Sequence, residues 1–108
     1  MFLIVAKYLI PKGYRGMAVF PFVIAKYDND KMNKVFVNHE KIHLRQQLEL
    51  LVIPFFVWYF LEYLIRLIQY KNGALAYLNI SFEREAYTKE DDLNYLKKRS
   101  FFQFLHYI

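Results

Sequence analysis

The segment Asn38-His39-Glu40-Lys41-Ile42-His43 places two imidazoles four residues apart with a carboxylate beside the first. On a helix, residues i and i+4 project from one face, so both rings can reach a single tetrahedral cation. Glu40 is turned about 100° from His39, beside such an ion rather than on it. There it can take a proton from water whose pKa zinc has lowered to about 7. The expected chemistry is a Zn2+ site with His39 and His43 as metal ligands and Glu40 as general base. The pattern uses two of the three histidines in the chain.

Two ligands do not complete a site, and a third should arrive from another element. His106, in the C-terminal tail, is one candidate. Phe82-Glu83-Arg84-Glu85-Ala86-Tyr87 is better placed, on a later helix that can fold back antiparallel to the first, and it offers Glu83 and Glu85. A carboxylate would complete a His2Glu set and leave the fourth position open for water, which distinguishes catalytic from structural zinc sites.

His39-Glu40 and His43, followed by a glutamate on a later helix, resemble the gluzincin metallopeptidases. In several of those families the later motif reads Glu-x-x-Ala-Asp or a close variant, and its first glutamate binds the metal. That resemblance selects Glu83 over Glu85 as third ligand and matches Ala86 to the small residue. His43-Leu44-Arg45-Gln46 is also similar to the continuation in membrane-embedded sensor peptidases of the antibiotic-response type, which are much larger. The similarity covers about residues 35–90 and rests on two short motifs. The chain departs from the pattern at Tyr87, where an aspartate would orient the first histidine. A phenol is a weaker anchor for imidazole, and Asn38 and Glu85 are the candidate substitutes. The resemblance implies metal-assisted amide hydrolysis of a peptide or protein substrate, with Glu40 passing its proton to the leaving amine. Tyr14, Arg84 and Tyr87 are candidate oxyanion donors, and an extended substrate could lie along a sheet edge formed by residues 17–27.

Several elements must position these groups. Residues 2–10 and 17–27 are apolar and rich in β-branched and aromatic types, separated by Pro11-Lys12-Gly13-Tyr14-Arg15-Gly16. They read as a β-hairpin or two neighbouring strands, with Pro21 at an edge or bulge and Asp28-Asn29-Asp30 closing the β region. From about Lys34, the residues Val35, His39, Ile42, His43 and Gln46 form one helical stripe, unbroken until Pro54 kinks or splits the helix. The second half runs to about Tyr70, with Asn72-Gly73 as its C-cap. A third helical stretch spans Ala74 to Tyr87, or begins only near Ile80 or Ser81. Thr88 with Asp91 resembles a capping box that starts a further helix through Leu93 and Leu96 to near Ser100. The tail FFQFLHYI is apolar enough to dock. The expected fold class is α+β: an N-terminal β-hairpin or small sheet packed on three to four helices, in one compact domain, 1–108.

At 108 residues, a dense core is required, and 56% hydrophobic and 20% aromatic content supplies one. A bound metal is a further reinforcement open to so small a fold. The absence of cysteine excludes disulfides and thiolate ligands and fits a reducing, cytoplasmic setting. The net charge is +5, but the basic residues are scattered and the longest run is Lys97-Lys98-Arg99, which argues against nucleic acid as partner. Peripheral contact with an anionic membrane stays open. The N-terminus MFLIVAKYLI is broken by Lys7 and lacks the features of a secretory signal. LLVIPFFVWYFL, residues 50–61, falls short of the roughly 18–20 apolar residues a span needs. It reads as a core helix ahead of an in-plane membrane helix, with Phe55 to Tyr63 as core and Glu62 paired to Arg66. Two function classes follow: a zinc peptidase, and a metal-binding regulatory module that is non-catalytic or latent. A groove beside the sheet edge favours the first, and a site with no groove, or one plugged by the tail, favours the second.

Overall fold

The structure, a computed structural model, describes residues 1–28 and 32–108. Asn29 and Asp30, expected to close the β region, lie outside the described residues. Strands β1 (Phe2–Val5), β2 (Gly16–Val19) and β3 (Phe22–Ala25) form a mixed sheet in the order β1-β3-β2. β3 is parallel to β1 and antiparallel to β2. The apolar stretch 17–27 therefore divides at Phe20-Pro21, which make the tight turn between β2 and β3. Proline has no N–H to give a ladder, so a turn accommodates it best. Residues 11–16 are not a hairpin turn but part of the crossover that a parallel β1/β3 pair requires. That crossover leaves β2 as the edge strand nearest the helices' chemistry.

Ala18, Val23 and Ala25 point inward against Phe36 and Leu44, while Phe2 and Phe22 point out. Gly16 sits at the closest approach of sheet and helix. A Cβ there would fall 2.4 Å from Phe36 Cζ and 2.6 Å from the Ile24 carbonyl oxygen. The ring can swing aside but the backbone carbonyl cannot. Gly16→Ala is thus expected to destabilise the protein by about 1–3 kcal/mol, read as a lowered Tm; an unchanged Tm would show that the sheet can move off the helix freely.

Five α-helices follow among the described residues. α1 (Lys34–Leu50) starts where Asn33 accepts a hydrogen bond from Phe36 N–H, 3.1 Å. It ends at Leu51 and Val52, both with positive φ, and α2 (Ile53–Tyr70) leaves at 111°. The helix is thus split near Pro54 as expected; Pro54 itself lies in the first turn of α2, where its missing N–H removes no helical bond. Lys71, in the left-handed conformation, ends α2. Asn72-Gly73 is not the C-cap expected: Asn72 instead caps α3 (Gly73–Leu78), accepting from Leu75 N–H at 3.1 Å. The stretch 74–87 is accordingly two helices, α3 and α4 (Ser81–Lys89), parted at Asn79-Ile80. Thr88 lies within α4, so it caps nothing. α5 (Tyr95–Lys98) begins after Asn94, whose N–H is held by the Asp92 carboxylate.

The tail docks as expected through a 3-10 turn, Gln103–Tyr107, whose buried Phe104 ring lies 4.6 Å from Phe82 and 5.2 Å from Trp58. Of the aromatic stripe on α2, Phe55 is core, Trp58, Tyr59 and Tyr63 are half-buried, and Phe56 and Phe60 are exposed. Glu62 and Arg66 pair at 3.8 Å, but the carboxylate does more than that. It accepts from Ser81 Oγ at 2.7 Å and from Ser81 N–H, which fixes the N-terminus of α4 to α2.

Candidate metal centre

α1 and α4 pack side by side and bring His39, His43 and Glu83 together, all three buried. His43 Nε2 lies 3.2 Å from His39 Nε2 and 3.0 Å from Glu83 Oε1, and His39 Nε2 lies 3.2 Å from the same oxygen. Tetrahedral ligands at about 2.0–2.1 Å from an ion stand about 3.3–3.4 Å apart, so little adjustment would seat a cation. The group could hold a metal ion.

The outer atoms of both rings are committed. His39 Nδ1 meets Glu90 Oε2 at 2.9 Å, and His43 Nδ1 meets Gln46 Oε1 at 2.8 Å. With both Nδ1–H groups donating outward, both Nε2 lone pairs turn toward Glu83. Gln46 is itself held, its amide donating to the Phe82 carbonyl at 3.2 Å and to Glu85 Oε1 at 2.9 Å. Glu83 keeps Oε1 for the centre because Oε2 accepts from Tyr59 O–H at 2.6 Å. Three electron-rich atoms thus converge, and only positive charge reconciles them.

In the metal-free protein a proton supplies that charge. Burial alone works against a charged imidazole, but the Glu83 carboxylate overrides it and pushes His43 up to about 9. Burial likewise opposes the Glu83 charge, and His43 and His39 overcome it, holding the carboxyl well below its usual range. A cation must displace the His43 proton. Metal affinity is therefore expected to rise about tenfold per pH unit from neutrality until about 9 and then level, as pH-dependent titration calorimetry would show; a flat profile would mean that His43 is not a ligand. Without metal the same shift stabilises the fold fully below 6.5, and that contribution is lost as pH rises through about 9.

Glu40 is buried beside this group without joining it, and its Oε2 has no hydrogen-bond partner among the described residues. Burial raises its pKa, and His43 and His39 pull it partly back. It faces two cavities, of about 580 and 550 Å3, which share Tyr14, Gly16, Glu40 and Tyr77 and so form one cleft past the centre. The first is aromatic, walled by Phe56, Tyr59 and Phe60 of α2 and by Met17 of the edge strand. No tail residue lines either cavity. The edge is partly sealed: Gln47 donates to Ala18 O and accepts from Phe20 N–H, both at 2.6 Å. Lys26 N–H bonds Arg15 O across the ladder, so alternation turns Gly16, like Ala18, toward the open side.

The remaining sequence candidates are distributed unequally. Tyr87 does not anchor His39 by its hydroxyl; its ring meets the imidazole edge-on at 4.4 Å and its O–H is 3.1 Å from that of Tyr77. Asn38 and Glu85 act at one remove: Asn38 holds the Glu90 carbonyl at 2.8 Å, and Glu85 holds Gln46. Arg84 is spent on Asn79 and the Tyr107 carbonyl, away from the cleft, and His106 is exposed outside the centre. Tyr14 lies on the cleft, edge-on to Tyr77 at 5.3 Å. Sequence reasoning missed Glu90, Tyr59 and Tyr77. Glu90 follows Glu83 by seven residues, two helical turns on, and that spacing was the available signal. Glu90→Ala is expected to weaken metal binding about 10–100-fold with an unchanged circular dichroism spectrum; unaltered affinity would mean that Glu90 does not orient His39.

Comparison of the chain with protein-family models, with curated proteins and with solved structures returns no match.

Proposed function

We propose that this chain is a zinc-dependent peptidase in which His39, His43 and Glu83 hold the ion and Glu40 moves the proton. The observation that carries this reading is a converged His2Glu donor set beside a buried carboxylate oxygen left without a partner. When bound, zinc would supply a Lewis acid that polarises a peptide carbonyl and brings the pKa of water toward neutrality. The raised pKa of Glu40 suits it to accept a proton at Oε2 and to deliver it to a departing amine. Gly16 and the N–H of Ala18 offer the open part of the β2 edge to an extended peptide, whose apolar side chain would enter the aromatic cavity. Tyr77 is the best-placed hydroxyl for developing negative charge. Burial and then Glu83 raise its pKa, so it keeps its proton, and its hydroxyl lies 3.1 Å from that of Tyr87, where either oxygen can donate.

A second reading, a metal-binding module without turnover, draws on Gln47, which already occupies two groups of the edge that a substrate would use. The test is equilibrium dialysis against Zn2+, then incubation of the loaded protein with an unfolded, labelled polypeptide. Stoichiometric zinc, absent from His43→Ala, with zinc-dependent cleavage supports the peptidase. Stoichiometric zinc with no cleavage favours the second reading, and no zinc removes both.

A further inference from the structure

Helix α2 turns an apolar face away from the protein. Ile53, Val57, Leu61, Ile65 and Ile68 follow one another at three- and four-residue steps, with Phe60 beside them, and all six are exposed, Ile53 by 76% and Ile68 by 77%. A stripe of that period ordinarily faces a core. Here the core lies on the opposite side, at Phe55 and Glu62, so the helix is apolar all round and its outer half lacks an apolar surrounding. The only charged residues in α2 are Glu62 and Arg66. Glu62 is buried and bound to Ser81, and Arg66 is turned to Glu62 and to Gln69 at 2.9 Å, which leaves the stripe uncharged along its length. A groove of about 780 Å3 runs beside it, lined by Val57, Leu61, Ile65 and Ile108 and, on the side of the ion pair, by Glu62 and Arg66. Phe56 and Phe60 are exposed and also wall the cavity at the metal centre, so the mouth of that cavity borders the stripe.

Charge decides what covers such a face. Five of the ten acidic residues, Glu40, Glu49, Glu62, Glu83 and Glu85, are buried. The described lysines and arginines, Arg99 apart, reach water, so the surface is more cationic than the net +5 of the chain. A second copy would set like charge against like, whereas an anionic bilayer supplies opposite charge together with an apolar phase. Tyr70 and Lys71, both exposed at the C-terminal end of α2, are residue types that settle at headgroup level. No single helix among the described residues is long and apolar enough to cross a membrane. We propose that the outer face of α2 seats the protein on an anionic lipid bilayer, with the helix in the plane of the interface and the mouth of the metal-centre cavity at the lipid surface.

The test is co-sedimentation of the full chain with sucrose-loaded phosphatidylcholine vesicles, with and without about 30% phosphatidylglycerol. The parent protein is expected to pellet with the anionic vesicles and to be released in part by salt. The combined change Val57→Ser, Leu61→Ser, Ile65→Ser should lower the partition coefficient at least about tenfold with its helical circular dichroism and monomeric size intact. Tyr8→Ser, which removes an exposed aromatic ring from the segment before β2, should leave partitioning unchanged. Should the triple variant lose its helical spectrum, Leu61→Gln alone provides the same comparison with a smaller, severalfold loss. Equal pelleting of parent and variants overturns the proposal, as does pelleting indifferent to anionic lipid. A parent that stays in the supernatant as a dimer, dispersed by the triple variant, overturns it in favour of a second copy.

Discussion

Glu40→Gln is expected to keep its zinc and to lose hydrolysis by about 10²–10⁴-fold, the usual contribution of a positioned general base. The two halves of that result have separate causes. Zinc should be retained because the proposed ligand set is His39, His43 and Glu83, the group that could hold an ion, and Glu40 contributes no atom to it. Hydrolysis is lost because an amide of the same shape cannot accept the proton. Burial already disfavours the Glu40 charge, so the amide should also leave the metal-free fold no less stable than before. Glu83→Gln is the matched opposite. It removes the one anionic ligand and leaves His39 and His43 without the carboxylate that organises them, so zinc itself should be lost. Measured together as zinc content and cleavage rate, the pair separates the base from the ligand. If Glu40→Gln loses zinc as Glu83→Gln does, Glu40 is a ligand and the proton must be handled elsewhere. If it keeps both zinc and full activity, the base has been misassigned.

What could be read from the sequence was what repeats at a short, regular interval. His39 and His43 stand one helical turn apart in a breaker-free segment, so their common face follows from geometry alone, and the α+β class follows from the change of period near Lys34. The boundary errors came from residues that do unusual things without an unusual composition. Leu51 and Val52 turn the chain through positive φ where glycine would have been the signal, whereas Pro54, the visible breaker, did mark the split and opens the next helix. Helical geometry runs on through Glu90, beyond the stop expected at Tyr87, and this displaced the anchor of His39 from four residues after Glu83 to seven. The parallel partnership of β1 with β3 and the grip of Tyr59 on Glu83, 24 residues apart, are long-range, and no local pattern encodes them. The outward apolar face of α2 was hidden for another reason: hydrophobic periodicity finds a stripe but does not say which way it points.

Arg99→Met should be the most destabilising single change away from the metal ligands, at about 3–5 kcal/mol. The Arg99 guanidinium is fully enclosed and lies between two buried carboxylates, pairing with Glu49 Oε2 at 2.6 Å and with Glu85. Burial resists its charge, yet Glu85 and Glu49 raise its pKa far above the physiological range, and burial likewise resists the Glu85 charge until Arg99 holds that carboxyl low. Methionine fills much of the volume but leaves two carboxylates in the interior with one backbone N–H, from Phe102, and the Tyr95 and Gln46 donors to share. Such a cost is a large part of the roughly 5–15 kcal/mol that stabilises a domain. Arg99→Lys should recover little, because a single ammonium cannot span both partners as a planar fork does. Adding Glu49→Gln and Glu85→Gln to Arg99→Met removes the stranded charge and should restore most of the stability in denaturant titrations. The effect also reaches the metal centre, since Glu85 holds Gln46 and Gln46 holds His43 Nδ1, so the single variant should bind zinc more weakly even where it remains folded. If Arg99→Met unfolds within about 1 kcal/mol of the parent, the spread expected of an exposed ion pair, these charges are solvated, and the orientation of His43 rests on Gln46 alone.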